Sequence, residues 1–193
     1  MANDSMGFLL EFLRHPTQTG AVAPSSRFLA ERMLEWLNFD DAQNVLEYGP
    51  GGGAITEFIV QRLRPKTRFL AIEMNPAMAQ QVRSRLPTIE VEEDSVENVR
   101  AVCDRRGMDK VNCIVCSLPW TSFPDELQDR LLAATMSVLP RGGQLVTFAY
   151  LHGIGLPGGQ SFAKKLPTYF SEVTRSRPVW RNMPPAIVYR CRR

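Results

Sequence analysis

Apolar positions recur at helical spacing near the start of the chain and later fall into short runs separated by polar turns. A first stripe, from Met6 to Leu13, predicts an amphipathic helix that ends at Pro16. A second stripe predicts a helix capped by Ser25 or Ser26, with an apolar face of Leu29, Met33, Trp36 and Leu37. Residues 1–38 are therefore expected to form a helical N-terminal segment that precedes the main fold.

From residue 44 onward the pattern alternates between short apolar runs and amphipathic stretches. We predict strands over 44–48, 68–72, 89–92, 111–116 and 144–151, and helices over 54–63, 76–86, 96–105 and 125–138. Such alternation is typical of a parallel sheet with helices on both faces. Two further strands, over 170–180 and 186–190, are joined by the turn-rich segment 182–185 and predict an antiparallel hairpin. The expectation is an α/β fold with a mostly parallel seven-stranded sheet in one domain, 1–193.

Length and composition fit one globular domain. The 193 residues include 44% hydrophobic and 22% charged residues, which is unlike a disordered chain. No apolar run approaches the roughly 20 residues needed to cross a bilayer. The N-terminus lacks the basic start, long apolar stretch and cleavage site of a signal peptide. We therefore expect a cytoplasmic protein.

The four cysteines include one Cys-x-x-Cys pair, Cys113 and Cys116, which raises the question of zinc or redox chemistry. The pair lies within a predicted strand, where side chains three positions apart face opposite ways. No second pair and no clustered histidine completes a zinc site. We predict buried, reduced thiols and no metal centre.

Charge is distributed unevenly along the chain. The net charge of +3 divides into +7 for residues 151–193, which carry eight Lys or Arg and one acid, and −4 for residues 1–150. A basic C-terminal region favours an anionic surface or substrate, such as phosphate or anionic lipid, although an ordinary solvated edge would give the same count.

Candidate chemistry follows each of the first four predicted strands, at the end of the sheet where open parallel sheets bind ligands. Gly49–Gly53 follows the first strand, and glycines bring bare backbone close to a ligand. The helix after this loop opens with N–H groups that suit an anion. Glu73 follows the second strand and can accept hydrogen bonds from a ribose diol. Asp94 and Ser95 follow the third and can bind an exocyclic amine. The fourth strand is followed by Ser117-Leu118-Pro119-Trp120.

The spacing Glu47-x-Gly49-x-Gly51-x-Gly53 differs from the dinucleotide pattern G-x-G-x-x-G and resembles the first motif of class I S-adenosylmethionine methyltransferases. The resemblance implies a Rossmann-like fold and S-adenosylmethionine as cofactor. In that family the glycine loop lines the methionine part, the acid after the second strand binds ribose, and the acid after the third contacts adenine. The implied cofactor site consists of Glu47, Tyr48, Gly49, Pro50, Gly51, Gly53, Glu73, Met74, Asp94, Ser95 and Val96.

The segment after the fourth predicted strand bears on the identity of the methyl acceptor. Ser117-Leu118-Pro119-Trp120 resembles the Asn-Leu-Pro-Tyr motif of ribosomal RNA adenine dimethylases, which stack the target base on the aromatic ring. This chain has Ser where those enzymes have Asn and Trp where they have Tyr, and we expect it to lack their helical C-terminal domain. RNA is therefore the less favoured acceptor.

The chain resembles more closely the bacterial phosphatidylethanolamine N-methyltransferases related to those dimethylases. The shared features are Pro16, Gly20-Ala21, Pro24-Ser25-Ser26, the Ser117–Trp120 segment and Asn182-Met183-Pro184-Pro185-Ala186, in the same order. This resemblance implies methyl transfer to the amine of phosphatidylethanolamine or its methylated derivatives. The catalytic residues it implies are Ser117, Leu118, Pro119 and Trp120.

The residue types suit methylation of an amine, which depends on positioning and exclusion of water more than on acid–base catalysis. The Ser117 hydroxyl or the Leu118 carbonyl can orient the amine. Trp120 either attracts the cationic nitrogen by a cation–π contact or is a core aromatic. His152, after the fifth predicted strand, is a base, a phosphate ligand or a surface histidine, and His15 is a weaker candidate.

Two questions stay open at this point. The N-terminal helix either lies on a membrane surface, helped by the basic C-terminal region, or closes over the cofactor as a lid. A phospholipid at an anionic membrane surface is the expected partner, with peripheral contact on the inner face of the membrane. The alternatives are an RNA or protein methyltransferase and a non-catalytic cofactor-binding subunit.

Overall fold

The computed structural model describes residues 25–193. The predicted helix at Met6–Leu13, Pro16 and Gly20-Ala21 lie outside the described residues, so the lid and membrane roles of that segment stay predictions. None of the described helices is both long and apolar enough to cross a bilayer.

The described α-helices are α1 (Arg27–Leu34), α2 (Thr56–Val60), α3 (Pro76–Arg85), α4 (Val99–Arg105), α5 (Asp125–Val138) and α6 (Pro157–Tyr169). The strands are β1 (Asn44–Tyr48), β2 (Arg68–Ile72), β3 (Glu90–Glu92), β4 (Cys113–Cys116), β5 (Gln144–Tyr150), β6 (Glu172–Arg175) and β7 (Ala186–Arg192).

The seven strands form one sheet in the order β3-β2-β1-β4-β5-β7-β6. Strands β1 to β5 are parallel to one another, and β7 runs antiparallel to both β5 and β6. The predicted mostly parallel sheet that ends in an antiparallel hairpin is confirmed. The chain order reverses between β1 and β4, so a ligand is expected beyond their carboxyl ends.

Local sequence explains where the helices begin. The Ser26 hydroxyl accepts a hydrogen bond from the Leu29 amide at 3.3 Å and caps α1, as predicted. The Asn75 side chain caps α3, whose first residue is Pro76. Helix α1 ends at Leu34, so the C-terminal part of its predicted apolar stripe, Trp36 and Leu37, lies beyond the helix.

The sheet separates two apolar clusters. One is built on Leu46, Ile114 and Leu145 under helices α4, α5 and α6, and the other packs α1 and α2 on the opposite face. Cys116 belongs to the first cluster and Cys113 to the second, which confirms that the two thiols diverge. Burial raises the pKa of the Cys113 thiol to about 12 and that of Cys116 to about 11, so both remain protonated at neutral pH.

Helix α6 was not predicted. The local sequence argues against a helix here, because it has four glycines between 153 and 159 and Pro167, and glycine and proline are the poorest helix formers. Its buried face, Gly159, Phe162 and Leu166, nevertheless has helical spacing and is the signal that would have found it. The predicted strand 170–180 was too long. It contains only β6, followed by an isolated bridge from Val179 to Ala186.

Candidate active site

The ends of four strands are tied together by backbone hydrogen bonds. The Gly49 amide donates to the Ile72 carbonyl at 2.9 Å, Glu73 to Glu92 at 3.0 Å, and Ser117 to Tyr48 at 2.9 Å. These bonds continue the registers of β1 with β2, β2 with β3 and β1 with β4 for one residue past each strand. The segments predicted to carry function therefore meet at one end of the sheet, which we call the carboxyl end.

The loop after β1 depends on glycine for its shape. Gly49, Gly51 and Gly53 have φ values of 66°, 55° and 80°, a backbone conformation that residues with a side chain rarely adopt. The Gly53 amide donates to the Pro50 carbonyl at 2.9 Å and closes the turn. The helix predicted from residue 54 begins only at Thr56 and has five residues, because the glycine turn extends through Ile55. The bare backbone of this loop is thus its main resource for binding.

Glu73 connects the second strand to the glycine loop. Its carboxylate accepts hydrogen bonds from the Gly51 amide at 3.1 Å and the Asn75 amide at 2.8 Å. Burial raises the pKa of Glu73, and the bonds from Asn75, Gly51 and Met74 offset part of that rise. Two backbone amides hold the carboxylate in place, and its remaining lone pairs suit a pair of ribose hydroxyls.

Glu47 is fully buried at the end of β1. Neither carboxylate oxygen has a hydrogen-bond partner of good geometry among the described residues. Burial raises the pKa of Glu47 to about 8, the neighbouring Thr56 hydroxyl lowers it, and the charge of Glu73 raises it further. A buried carboxylate without partners is costly, so this site calls for a cationic or hydrogen-bond-donating ligand group.

Asp94 and Ser95 form a tight turn after β3. Asp94 accepts from the Ser95 amide and the Asn98 side chain, each at 2.7 Å, and Arg105 approaches its second oxygen at 3.2 Å. Burial alone would raise the pKa of Asp94, but these three bonds together lower it. The Ser95 hydroxyl caps the short 3₁₀ helix that begins at Val96. Asp94 is thus ionised and positioned at neutral pH.

Several other predicted cofactor residues are placed by their packing. The Tyr48 side chain is fully buried in the cluster under α4 and α5, and Val96 lies in the same cluster. Pro50 is buried and Met74 is half-buried against the core. The side chains of Tyr48 and Val96 serve packing here, so any contact of these residues with the cofactor is left to their backbones.

The Ser117–Trp120 segment lies beside the glycine loop. A Cβ atom on Gly49 would come within 3.1 Å of the Leu118 side chain, so only glycine lets the two loops approach this closely. Ser117 and Pro119 are half-buried, and the Ser117 side chain has no hydrogen bond within residues 25–193. The Leu118 carbonyl accepts from the Trp120 amide at 3.0 Å. The predicted acceptor residues thus adjoin the predicted cofactor loop.

Trp120 is a core aromatic in this structure. Its side chain is 1% exposed, and its ring stacks on Phe162 of α6 with centroids 4.6 Å apart and planes 14° apart. Phe123 packs on its edge. Of the two interpretations offered by the sequence, packing is the one observed, and a cation–π contact with an amine stays a prediction that requires the ring to be uncovered.

Two of the short motifs meet at the same end of the sheet. The Asn182 side chain accepts a hydrogen bond from the Ser26 amide at 2.9 Å and donates to the Pro184 carbonyl at 2.7 Å. The Met183–Pro184 peptide is cis. Sequence reasoning gave Asn182 no role, although its place in a shared motif was the available signal.

His152 lies just beyond β5, as predicted, and is exposed, with its ring stacked on Tyr150 at 5.6 Å. This is the surface histidine among the interpretations offered, and nothing in its surroundings marks it as a base. His15 lies outside the described residues. Among residues 25–193, no group of three His, Cys, Asp or Glu side chains is arranged to hold a metal ion.

The residues of the carboxyl end fit S-adenosylmethionine. The buried Glu47 carboxylate, which has no well-aligned hydrogen-bond partner among residues 25–193, suits the ammonium of its methionine part, and the glycines of the loop offer bare backbone to it. Glu73 suits its ribose diol, and Asp94 suits its adenine amine. The fit rests on the buried carboxylate of Glu47, beside which the Thr56 hydroxyl is the polar neighbour that lowers its pKa and for which residues 25–193 supply no cationic partner.

Comparison with known proteins agrees with this fit. Residues 45–143 match a family described as "Methyltransferase domain". The ornithine lipid N-methyltransferase of Singulisphaera acidiphila is 31% identical over 191 residues, 96% of this chain and 94% of that protein. The ribosomal RNA small subunit methyltransferase A of Fusobacterium nucleatum is 27% identical over 92 residues, 48% of this chain and 34% of that protein.

Solved structures share the fold. An O-methyltransferase from Bacillus cereus, in complex with SAH, superposes with a TM-score of 0.67 over 98% of this chain and 91% of that chain, at 13% identity. The family match covers half of this chain, and the relative from Singulisphaera covers nearly all of it. The protein therefore belongs to the class I S-adenosylmethionine-dependent methyltransferases, uses S-adenosylmethionine as its cofactor and is an N-methyltransferase.

Proposed function

We propose that this enzyme transfers methyl groups to the amine of a membrane lipid headgroup. The observation that carries the proposal is the 31% identity to an ornithine lipid N-methyltransferase over 96% of the chain. The methyltransferase-domain match ends at residue 143, so the likeness to the lipid enzyme extends over the C-terminal part of the chain as well. The ribosomal RNA enzyme matches only 92 residues.

Two lipids share the required chemistry. The sequence motifs predict phosphatidylethanolamine or its methylated derivatives, and the name of the relative from Singulisphaera indicates ornithine lipid. Both carry a primary amine on a lipid headgroup. The acceptor class we propose is therefore an amine-bearing membrane lipid, and experiment must distinguish the two headgroups.

The described residues can support this reaction by positioning. Bound S-adenosylmethionine supplies an electrophilic methyl group, so the acceptor must present a neutral nitrogen with its lone pair free. The Ser117 hydroxyl is half-buried, beside the glycine loop, and can accept an N–H hydrogen bond that orients the amine. The Leu118 carbonyl bonds the Trp120 amide and retains a second lone pair for the same purpose.

Trp120 is assigned a positioning role. Its stack on Phe162 and the hydrogen bond from the Gln128 side chain to its carbonyl, at 2.9 Å, fix the segment that carries Ser117 and Leu118. This packing also keeps the segment closed to water from the core side, which favours transfer to the amine over side reactions.

The test supplies methyl-labelled S-adenosylmethionine and purified protein with three acceptors in parallel. These are phosphatidylethanolamine and ornithine lipid, each in vesicles of the same anionic composition, and total RNA. Glu73→Ala, whose cofactor affinity should be about 100-fold lower, is the matched control, with S-adenosylmethionine supplied below the concentration that saturates this variant. The proposal is supported if the wild-type protein labels a lipid and the variant labels it much less. Chromatography of the labelled headgroups then identifies the lipid and the number of methyl groups added. Label in RNA alone, or in none of the three, would overturn it.

A second candidate, RNA adenine methylation, is favoured by one observation, the partial match to the ribosomal RNA methyltransferase. Binding to RNA depends steeply on salt because each phosphate contact releases counterions. If RNA is the acceptor, labelling should fall steeply as salt rises. Labelling of lipid should depend on the presence of the lipid phase and change less with salt.

A further inference from the structure

Three large hydrophobic side chains are exposed among residues 25–193. They are Leu156 at 52%, Trp180 at 70% and Met183 at 72% exposed. Single exposed hydrophobics are common, but a group of them at one place marks an interaction site.

All three lie at the carboxyl end of the sheet. Leu156 belongs to the connection that leaves the end of β5, and the other two lie between β6 and β7. Tyr150, the last residue of β5, pairs with Ala186, the first of β7, and the Leu151 amide donates to the Pro185 carbonyl at 2.9 Å. The two connections are therefore neighbours.

The segment between β6 and β7, residues 176–185, has an inverted pattern of burial. Its polar Asn182 is 2% exposed, while Trp180 and Met183 on either side point to solvent. The segment is also well held. The Val179 amide bonds the Ala186 carbonyl at 2.7 Å, Asn182 bonds the Ser26 amide, and the Arg181 guanidinium lies 3.7 Å above the Phe28 ring. Trp180 and Met183 are therefore exposed on a segment that is fixed by contacts with the rest of the fold.

Positively charged side chains lie near Trp180 and Met183 in the sequence. Arg175, Arg177 and Arg181 are exposed, and none forms an ion pair within the described part of the chain. Arg105, Arg106 and Arg130, by contrast, are all paired with acids. Residues 173–193 contain six arginines and no acid, and of these Arg190 and Arg192 pair with Glu35 and Glu172. The charge is therefore uncompensated where the hydrophobics are exposed.

The connection that carries Leu156 touches the acceptor segment. A Cβ atom on Gly153 would come within 2.8 Å of the Thr121 hydroxyl, and one on Gly158 within 2.5 Å of the Thr121 carbonyl. Thr121 follows Trp120 directly. The exposed surface and the predicted acceptor site are thus parts of one packed region.

We infer that residues 175–185, together with Leu156, form a docking surface for an anionic lipid bilayer, which we call the docking surface. Tryptophan favours the headgroup level of a bilayer, and arginine favours anionic lipid phosphates. Trp180 and Met183 enter the interface, while Arg175, Arg177 and Arg181 contact the phosphates. This inference rests on the proposed lipid substrate, and it brings a headgroup amine to the end of the sheet that carries Ser117.

The test measures sedimentation of the full chain with phosphatidylcholine vesicles, with and without phosphatidylglycerol. Combined Trp180→Ala and Met183→Ala should weaken binding about tenfold on both vesicles, because apolar burial is lost. Arg177→Glu should weaken binding about tenfold on the anionic vesicles only. Arg141→Glu is the matched control. Arg141 is exposed at the amino end of β5, opposite the docking surface, and its reversal should change binding less than about twofold.

Quenching by brominated lipids locates the contact directly. The chain has three tryptophans, of which Trp120 is buried, Trp36 is half-buried and Trp180 is exposed. Quenching of the wild-type protein should disappear in Trp180→Phe. If quenching persists, or if Arg177→Glu and Arg141→Glu weaken binding equally, the docking surface is wrong. Concentration-dependent self-association that the Trp180→Ala and Met183→Ala protein loses, with no change in vesicle binding, would assign the surface to a second copy instead.

The two proposals fail separately. Activity on lipid dispersed in detergent micelles tests the acceptor without a bilayer, and the docking variants should retain it. Wild-type protein that labels lipid in micelles, with docking variants that bind vesicles normally, would overturn only the docking surface. Binding that depends on Trp180 without labelling of any lipid would overturn only the proposed acceptor.

Discussion

The cofactor side and the acceptor side of the carboxyl end are built in different ways. The cofactor side uses carboxylates at the ends of β1, β2 and β3, and Glu73 is held by the amide of Asn75, two positions away, and by that of Gly51, 22 positions away on the loop after β1. The acceptor side depends on contacts between distant segments, such as Trp120 with Phe162 and Ser26 with Asn182, which are 156 positions apart. The cofactor side is therefore held by backbone hydrogen bonds at the strand ends, and the acceptor side by side-chain contacts between distant segments.

The C-terminal region, which carries the proposed docking surface, differs in charge from the rest of the chain. Residues 1–150 sum to −4 and residues 151–193 to +7. Acids suit the ammonium, ribose and adenine amine of the cofactor, whereas arginines suit the phosphates of a lipid surface. This difference supports the proposal that the cofactor and the lipid surface are recognised by separate regions of the protein.

The largest expected effect is on packing of the acceptor side. Trp120→Ala removes a buried indole stacked on Phe162 and should lower the free energy of unfolding by about 3–5 kcal/mol. Trp180→Ala, at an exposed tryptophan of the same side, should change it by less than about 0.5 kcal/mol. Urea denaturation of both variants measures the contrast. Equal, small losses would show that Trp120 is not a core residue in solution.

The next effect concerns the buried charge of the cofactor side. The pKa of Glu47 is about 8 in the folded protein against 4.5 for an ordinary Glu, so ionisation opposes folding. The stability of the cofactor-free protein should therefore fall as pH rises from 4.5 to about 8, and Glu47→Gln should remove that fall. At pH 9 the variant should be more stable by a few kcal/mol, since one pKa unit corresponds to about 1.4 kcal/mol.

Urea denaturation of the wild-type protein and of Glu47→Gln at pH 5, 7 and 9, without cofactor, tests whether stability falls as pH rises. A gain that is the same at every pH would reject the raised pKa. The same variant should bind S-adenosylmethionine about tenfold more weakly, because the amide cannot pair with the ammonium. Higher stability combined with weaker binding would identify Glu47 as a residue kept for the ligand.

A third effect sharpens the ribose assignment. Glu73→Ala leaves the Gly51 and Asn75 amides without their acceptor and removes the ligand carboxylate. Cofactor affinity should fall about 100-fold, since hydrogen bonds to a charged group contribute about 1.5–3 kcal/mol each. Glu73→Gln keeps one oxygen for the amides and should lose about tenfold. Calorimetry with the demethylated product measures both, and unchanged affinity in Glu73→Ala would refute the ribose role.

The smallest effect separates the two sides kinetically. Ser117→Ala removes one hydroxyl that has no hydrogen bond within the described residues, so stability should change little. Turnover should fall about tenfold, the scale of one lost hydrogen bond, while cofactor affinity stays within about twofold. Ser117→Asn restores an acceptor at this position and should recover part of the turnover. Parallel losses of turnover and cofactor affinity would place Ser117 on the cofactor side instead.

Sequence reasoning succeeded where a feature depends on neighbours along the chain. β1, β2 and α5 have the predicted limits, because each is a periodic segment bounded by glycine, proline or polar residues. The sequence predicted a bare-backbone loop at Gly49–Gly53, and three of its glycines adopt positive φ angles that glycine tolerates without strain. The divergence of Cys113 and Cys116 follows from the two-residue repeat of a strand.

It failed where the environment overrides local propensity. Helix α6 forms despite its glycines and Pro167, because those glycines let it pack on Thr121 and its Phe162 covers Trp120. The predicted amine-facing role of Trp120 cannot be separated from a core role by sequence, because both require a large aromatic ring. Burial decides between them, and burial is a property of the whole fold.

The sequence by itself determined the parallel sheet, the order of its elements along the chain, the glycine loop and the acids at the ends of the first three strands. These depend on periodicity and on backbone conformations that few residues allow. Only the tertiary structure decided that Glu47 is buried without a well-aligned hydrogen-bond partner among residues 25–193, that Trp120 is covered, and that Trp180 and Met183 are exposed near arginines that form no ion pair with those residues. Each of these depends on which distant segments pack together, and that information is carried by no single stretch of the chain.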